Sequence, residues 1–221
     1  MMKFSNKWMV GAVVLAASAA ASAQSAGTWS ARVGFLNITP QVTSDDLTPP
    51  SFPGTKANAS GDTQLAGGVS YMLTDHVVID VPLALPYHNN LTGAGAIQGV
   101  GKIGSVESLA MTVFVNYKFM EPGAQVRPYV GFGLTYAKFF NAKGTAALSA
   151  LTGGHPTTLS IESKFAPTPL IGVNVALNDR WYLDAGLSKT LLKNRTTLST
   201  GQTIDLKLDP VSYGLQLGYK F

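Results

Sequence analysis

The 221-residue chain contains no cysteine. That one absence removes disulfides, cysteine-type zinc sites and thiol nucleophiles together. Charge is scarce as well, at 13% of residues, about half of the ~25% usual in soluble domains. The formal net charge of +4 overstates basicity, because Lys3 and Lys7 belong to a leader; without them 14 basic residues face 12 acidic ones. No concentrated basic face remains, so nucleic acid is not an expected partner. Past residue 23 there is no uninterrupted apolar run of about 18 residues, which excludes a spanning helix. If this chain enters a membrane, it does so as strands.

The three histidines, His76, His88 and His155, fall in a turn and two loops, and no pair has zinc spacing. His88 and His155 belong to the same end, where a shared metal is the sharper reading and two unrelated loop residues the plainer one. Gly99-Val-Gly-Lys-Ile-Gly104 matches the dinucleotide fingerprint in letters alone, since it lacks the strand–helix setting that motif needs. Asp45-Asp46 with His88 can be drawn as a hydrolytic group, but solvated loop residues are its default. No enzyme, cofactor or metal is expected.

What is present begins with a leader. Residues 1–23 carry two lysines, an apolar middle from Trp8 to Ala20 and Ala21-Ser-Ala23 before Gln24, the pattern of a secretory signal peptide. Residues 24–221 are then the mature domain. Its last stretch alternates cleanly: Val211, Tyr213, Leu215, Leu217, Tyr219 and Phe221 are apolar or aromatic, while Ser212, Gly214, Gln216, Gly218 and Lys220 are polar or tiny. Such a strand has one greasy and one wet face. A terminal aromatic, Phe221 backed by Tyr219, resembles the assembly signal of bacterial outer-membrane barrels.

The same alternation marks strands over 28–39, 63–73, 77–87, 105–119, 126–140, 161–177 and 181–192, with the eighth ending at Phe221. Tight connections at 74–76, 121–123 and 178–180 alternate with long ones at 40–62, 88–104, 141–160 and 193–203. Ile204, Leu206 and Leu208 have the opposite parity to Val211 onward, which a β-bulge at Asp209-Pro210 would repair. The expected fold is all-β: an eight-stranded antiparallel up-and-down transmembrane barrel with short periplasmic turns and long extracellular loops. A soluble ligand-binding barrel is the competing architecture. Charges of both signs between the apolar positions, and aromatics near strand ends such as Trp29, Tyr71, Tyr87, Tyr117 and Trp181, favour the membrane form.

Arg127-Pro-Tyr-Val-Gly-Phe-Gly-Leu-Thr-Tyr136 with Phe139-Phe140 resembles the central motif of the OmpW/AlkL family of outer-membrane barrels. Tyr71-Met-Leu-Thr-Asp75, Leu85-Pro-Tyr-His88, Leu208-Asp-Pro210 and Gly218-Tyr-Lys-Phe221 are similar to its other landmarks, in the family's order. Leu109-Ala-Met-Thr112 departs from the family's usual Leu-Pro-Pro-Thr run. The resemblance implies a narrow channel that carries small hydrophobic molecules across the outer membrane.

Inside such a barrel, Arg32, Asp80, Arg127 and Asp184 are expected to form a mutually neutralising network that plugs the lower lumen. Inward glycines leave either a bore or room for Tyr129 and Tyr182. Pro82 and Pro86 each remove a ladder donor toward one neighbouring strand, as do Pro167 and Pro169. A side gap at Pro82, Pro86, Tyr87 and His88 would let apolar cargo leave for the bilayer; strand-end punctuation is the plainer account. The expected partners are outer-membrane lipid, small hydrophobic solutes and the outer-membrane assembly machinery. A loop-based receptor or membrane-bracing barrel, and an ion-conducting pore, are the alternatives.

Overall fold

A computed structural model describes residues 24–221; the expected leader lies outside the described residues. The chain runs through β1 (Trp29–Thr39), β2 (Thr43–Ser44), β3 (Thr55–Ala59), β4 (Asp62–Met72), β5 (Val77–Ala84), β6 (Tyr87–Gly95) and β7 (Lys102–Lys118). There follow β8 (Val126–Gly144), α1 (Ala146–Leu151), β9 (Leu159–Ile161), β10 (Lys164–Ala176), β11 (Trp181–Lys189), β12 (Lys193–Leu198), β13 (Thr203–Lys207) and β14 (Val211–Lys220).

Eight of these strands close a barrel in the order β1-β4-β5-β7-β8-β10-β11-β14. Closure is made by β1 against β14, in register from Ser30↔Lys220 to Thr39↔Val211. Every pairing is antiparallel, and closing β1 on β14 removes the two outer edges that an open sheet would present to foreign strands. The apolar face points outward: Phe35, Phe132, Leu134, Ile171 and Leu215 are all more than half exposed. In water that surface would aggregate; in a bilayer it is the solvated face.

At the short-turn end the aromatics meet in pairs. Trp29 lies 4.8 Å from Tyr71, Trp181 4.9 Å from Tyr219, and Tyr219 5.3 Å from Phe221, centroid to centroid. A girdle of this kind sits at the membrane–water boundary.

All four stretches expected as loops hold further strand residues. β6 returns along the extended start of β7, and β3 adds to its other side. A separate sheet of order β2-β13-β12-β9 lies at the same end. With α1, whose N-cap is Thr145, they enclose a core of Leu47, Ile97, Ile103, Leu148, Leu198, Ile204 and Leu206. The barrel therefore carries a folded cap.

The cap also corrects the expected bulge. The barrel ladder ends at Val211, Asp209 takes a φ of +32°, and β13 pairs with β12 and β2 instead. The parity changes because 203–207 and 211–220 belong to different sheets. A second correction concerns Tyr87. Outward parity was expected from Val77 onward, and it holds to Leu85, 54% exposed; Tyr87 is 1% exposed. The ladder breaks at Pro86, so the strand re-enters with the other face inward.

Candidate functional site

The barrel interior is divided into levels. At the periplasmic end Arg127, 2% exposed, projects inward from β8. It donates to the backbone oxygens of Gln24 (2.8 Å), Asp75 (2.6 Å) and Met120 (3.1 Å). Lys118 Nζ donates to Gln24 Oε1 at 2.9 Å. Residues just before β1 are thus drawn into the barrel mouth as a cork. Arg127 was expected to pair with acids; it faces the lumen but binds backbone carbonyls, which leave no trace in a side-chain pattern.

One level up, Arg32, Asp80 and Asp184 come together. Arg32 Nη2 donates to Asp80 Oδ2 at 2.8 Å, and Nη1 to Ser70 Oγ at 2.9 Å. Its Nε donates to Gln216 Oε1 at 2.6 Å and lies 3.8 Å from Asp184 Oδ1. Asp184 also accepts from Tyr129 Oη at 3.1 Å and from Asn174 Nδ2. The side chains of Arg32, Asp80 and Asp184 are 9%, 6% and 13% exposed. Charges this dry persist only when each lone pair and proton finds a partner.

Tyr129 and Tyr182 fill the remaining space at this level. A Cβ at Gly172 would overlap the Tyr129 ring, and one at Gly218 the Tyr182 ring. These glycines make room for large neighbours; they do not open a bore. The lower lumen is packed from wall to wall.

Above it a chain of hydroxyls crosses the barrel. Thr112 and Thr135 are 2.8 Å apart, Thr135 and Thr168 2.7 Å, and Thr168 and Thr190 3.2 Å. All four are buried. Over this belt opens an apolar vestibule, bounded by the barrel rim and the cap, with Ile38, Leu47, Ile97, Leu109, Phe139 and Leu206 in its wall. A smaller cavity below it shares Ile38, Ala110 and Thr190 as lining, and its floor is Arg32, Asp80 and Asp184. The vestibule escaped sequence reading because its wall comes from segments as distant as Ile38 and Leu206. The available signal was the number of isolated Leu and Ile residues in supposed loops.

The side wall is interrupted beside these cavities. The β5–β7 ladder stops at Asp80↔Phe114 and pairing on that flank resumes at Tyr87↔Ser108. Residues 81–86 and 109–113 do not pair with each other, although β5 stays paired with β4 as far as Ala84. Leu85 N–H donates to Leu65 O on β4, so the even-numbered amides face β7, and at 82 and 86 proline supplies none. Pro82, Leu83, Ala84 and Tyr87 line the lower cavity and Leu109 the vestibule. His88 lies above the break, paired with Glu107, its own N–H donating to Asp62 Oδ2 at 2.7 Å.

The other proline pair sits differently. β10 keeps its ladder with β8 through Pro167↔Leu134 and Pro169↔Phe132, and pairs with β11 only from Leu170↔Ser188. Beyond that point Leu191 N–H donates to Pro167 O at 2.9 Å, which closes the wall again.

Comparison with known proteins places this architecture. A family model described as OmpW family matches residues 25–221. Outer membrane protein W of Vibrio cholerae is 30% identical over 219 residues, covering 96% of this chain and 97% of that protein. Dibenzothiophene metabolism operon protein PahQ of Pseudomonas aeruginosa is 23% identical over 197 residues, with 87% and 88% covered. The crystal structure of outer membrane protein OprG from Pseudomonas aeruginosa matches with a TM-score of 0.80 at 24% identity, covering 89% of this chain and 97% of that one.

Proposed function

Because the chain belongs to the OmpW family, we propose that this bacterial outer-membrane barrel is a passive channel for small hydrophobic molecules, which leave it sideways into the bilayer. The carrying observation is the conjunction of an apolar vestibule, a filled lower lumen and a broken β5–β7 ladder between them. Apolar cargo gains from the vestibule's dry wall. It would lose that gain at Arg32, Asp80 and Asp184, whose charged groups are already paired with one another and with Ser70, Gln216 and Tyr129. The side seam offers hydrocarbon next to hydrocarbon. The relative named for a dibenzothiophene metabolism operon is consistent with an apolar, aromatic class of cargo. The corked lower lumen weighs against an ion-conducting pore.

Uptake of labelled naphthalene into cells with and without the protein tests this reading. Protein-dependent uptake that saturates is expected; equal uptake in both strains would overturn it.

The assembly machinery is a further proposed partner, through the strand that ends in Tyr219 and Phe221. Phe221 N–H donates to Trp29 O at 2.9 Å, and its ring stands edge-on to Tyr219. Phe221→Asp should lower the amount of folded barrel in the membrane severalfold, seen as loss of the heat-modifiable band on gels. Wild-type levels of that band would remove Phe221 from assembly.

A further inference from the structure

The inner face of the β12–β13 hairpin carries two polar side chains where the packing calls for apolar ones. Strand alternation turns Asn194, Thr196 and Leu198 inward and Lys193, Arg195 and Thr197 outward. The residues opposite Asn194 and Thr196 on β13 are Leu206 and Ile204, which have no side-chain polar atom to offer. Asn194 is 2% and Thr196 4% exposed, and both line the apolar vestibule. Asn194 Nδ2, Asn194 Oδ1 and Thr196 Oγ1 all lack a hydrogen-bond partner among the described residues. Buried polar groups are nearly always paired, because the hydration they lose is otherwise not replaced. Leucine and valine would complete this face at less cost to the fold. A second buried hydroxyl without a partner among the described residues, Tyr87 Oη, belongs to the lower cavity beside the broken seam.

We propose that Asn194 and Thr196 form a recognition site for the hydroxyl of an otherwise apolar molecule, a neutral alcohol or phenol, with Tyr87 as a second station at the side exit. This names the cargo class of the proposed channel and rests on that reading. The chemistry of the three atoms selects the head group. A hydroxyl donates to Asn194 Oδ1 and accepts from Nδ2 or from the Thr196 hydroxyl, and either orientation of the amide serves. A ketone or ester only accepts and leaves the amide oxygen bare; a hydrocarbon leaves all three atoms bare. Residues two apart on a strand stand roughly 6.8 Å apart. One oxygen at about 2.8 Å from each side chain bridges most of that span.

A charged head group fits poorly. Lys193 and Arg195 point away from the vestibule, Arg195 Nε donating to Asp205 Oδ1 at 2.7 Å, and Lys207 lies 3.3 Å from Asp209. Lys56, at the rim of the vestibule, is 44% exposed and faces Asp46 at 3.8 Å. A carboxylate or ammonium beside Asn194 would therefore be buried without a counter-charge. Once released from the cap, a hydroxylated molecule passes the threonine belt, whose oxygens retain lone pairs to receive it, and meets Tyr87 where β5 and β7 part.

The test compares 1-naphthol with naphthalene, two probes of one shape that differ by the hydroxyl. Wild-type cells should take up naphthol over naphthalene by about tenfold once the rates of cells lacking the protein are subtracted, the factor expected for one well-made hydrogen bond. Asn194→Leu with Thr196→Val should collapse that ratio toward one. The double variant should also unfold at a higher temperature than wild type, since two bare polar groups are gone; a purely structural role predicts a lower one. In nanodiscs, naphthol but not naphthalene should shift the Asn194 side-chain amide resonance of the purified barrel. An unmoved amide resonance with an unchanged uptake ratio in the double variant would overturn the site while leaving the channel intact. A shifted amide without protein-dependent uptake would uphold the site and overturn the channel.

Discussion

Arg32→Met is expected to lower barrel stability by about 3–5 kcal/mol, the usual cost of removing one partner from a buried ion pair. Arg32 is the cation that touches both Asp80 and Asp184, and among the described residues no other guanidinium pairs with them. Ser70, Tyr129 and Asn174 would remain as neutral donors, so the acids would keep hydrogen bonds and lose their counter-charge. Two dry carboxylates on facing walls would then repel each other and draw water into the packed level. Two readouts follow: a lower urea midpoint for the heat-modifiable band, and a higher single-channel conductance in planar bilayers with preference for cations. A companion variant, Arg32→Met with Asp80→Asn, should recover part of the stability. A midpoint shift worth less than about 1 kcal/mol would mean that this cluster is solvated in the manner of a surface ion pair.

Pro82→Val with Pro86→Val should act on the wall. Each change returns a backbone N–H to the side of β5 that faces β7. A net gain of about 0.5–1.5 kcal/mol per added hydrogen bond makes roughly 1–3 kcal/mol in favour of a closed seam. Since about 1.4 kcal/mol is a factor of ten in population, uptake of an apolar compound should fall about tenfold. The amount of folded barrel should hold or rise. Undiminished uptake with a ladder shown to be continuous would leave these prolines as punctuation only. The physical point is that a barrel wall is normally closed because every strand amide has a partner; proline is the residue that removes one without removing the strand.

The eight staves were legible because a bilayer-facing strand must alternate, and Val211 to Lys220 does so without exception. The inward position of Arg32, Asp80, Arg127 and Asp184 followed from the same parity. What Arg127 binds did not, because its partners are the main-chain oxygens of Gln24, Asp75 and Met120. The cap was illegible for a different reason. Lys193-Asn-Arg-Thr-Thr-Leu198 is polar on both faces until its last residue, so period-two hydrophobicity gives no signal. The face that packs inward uses Asn194 and Thr196, the two side chains that depart from local consistency. Departures of that kind concentrate at functional sites. Tyr87 was placed on the wrong face because one unpaired turn at Pro86 inverts every residue after it.

The lateral route is tested most directly by stapling the seam. The chain contains no cysteine, so Ala84→Cys with Ala110→Cys introduces the only two thiols. If the register at Asp80↔Phe114 ran on, residues 84 and 110 would face each other across the break, and both line the lower cavity. Oxidation would lock β5 to β7 there, and reduction would release them, with the crosslinked fraction read on a gel. The lateral account predicts that uptake of naphthalene falls in proportion to the crosslinked fraction and returns with reductant, at constant folded barrel. Full uptake by fully crosslinked barrels would contradict it.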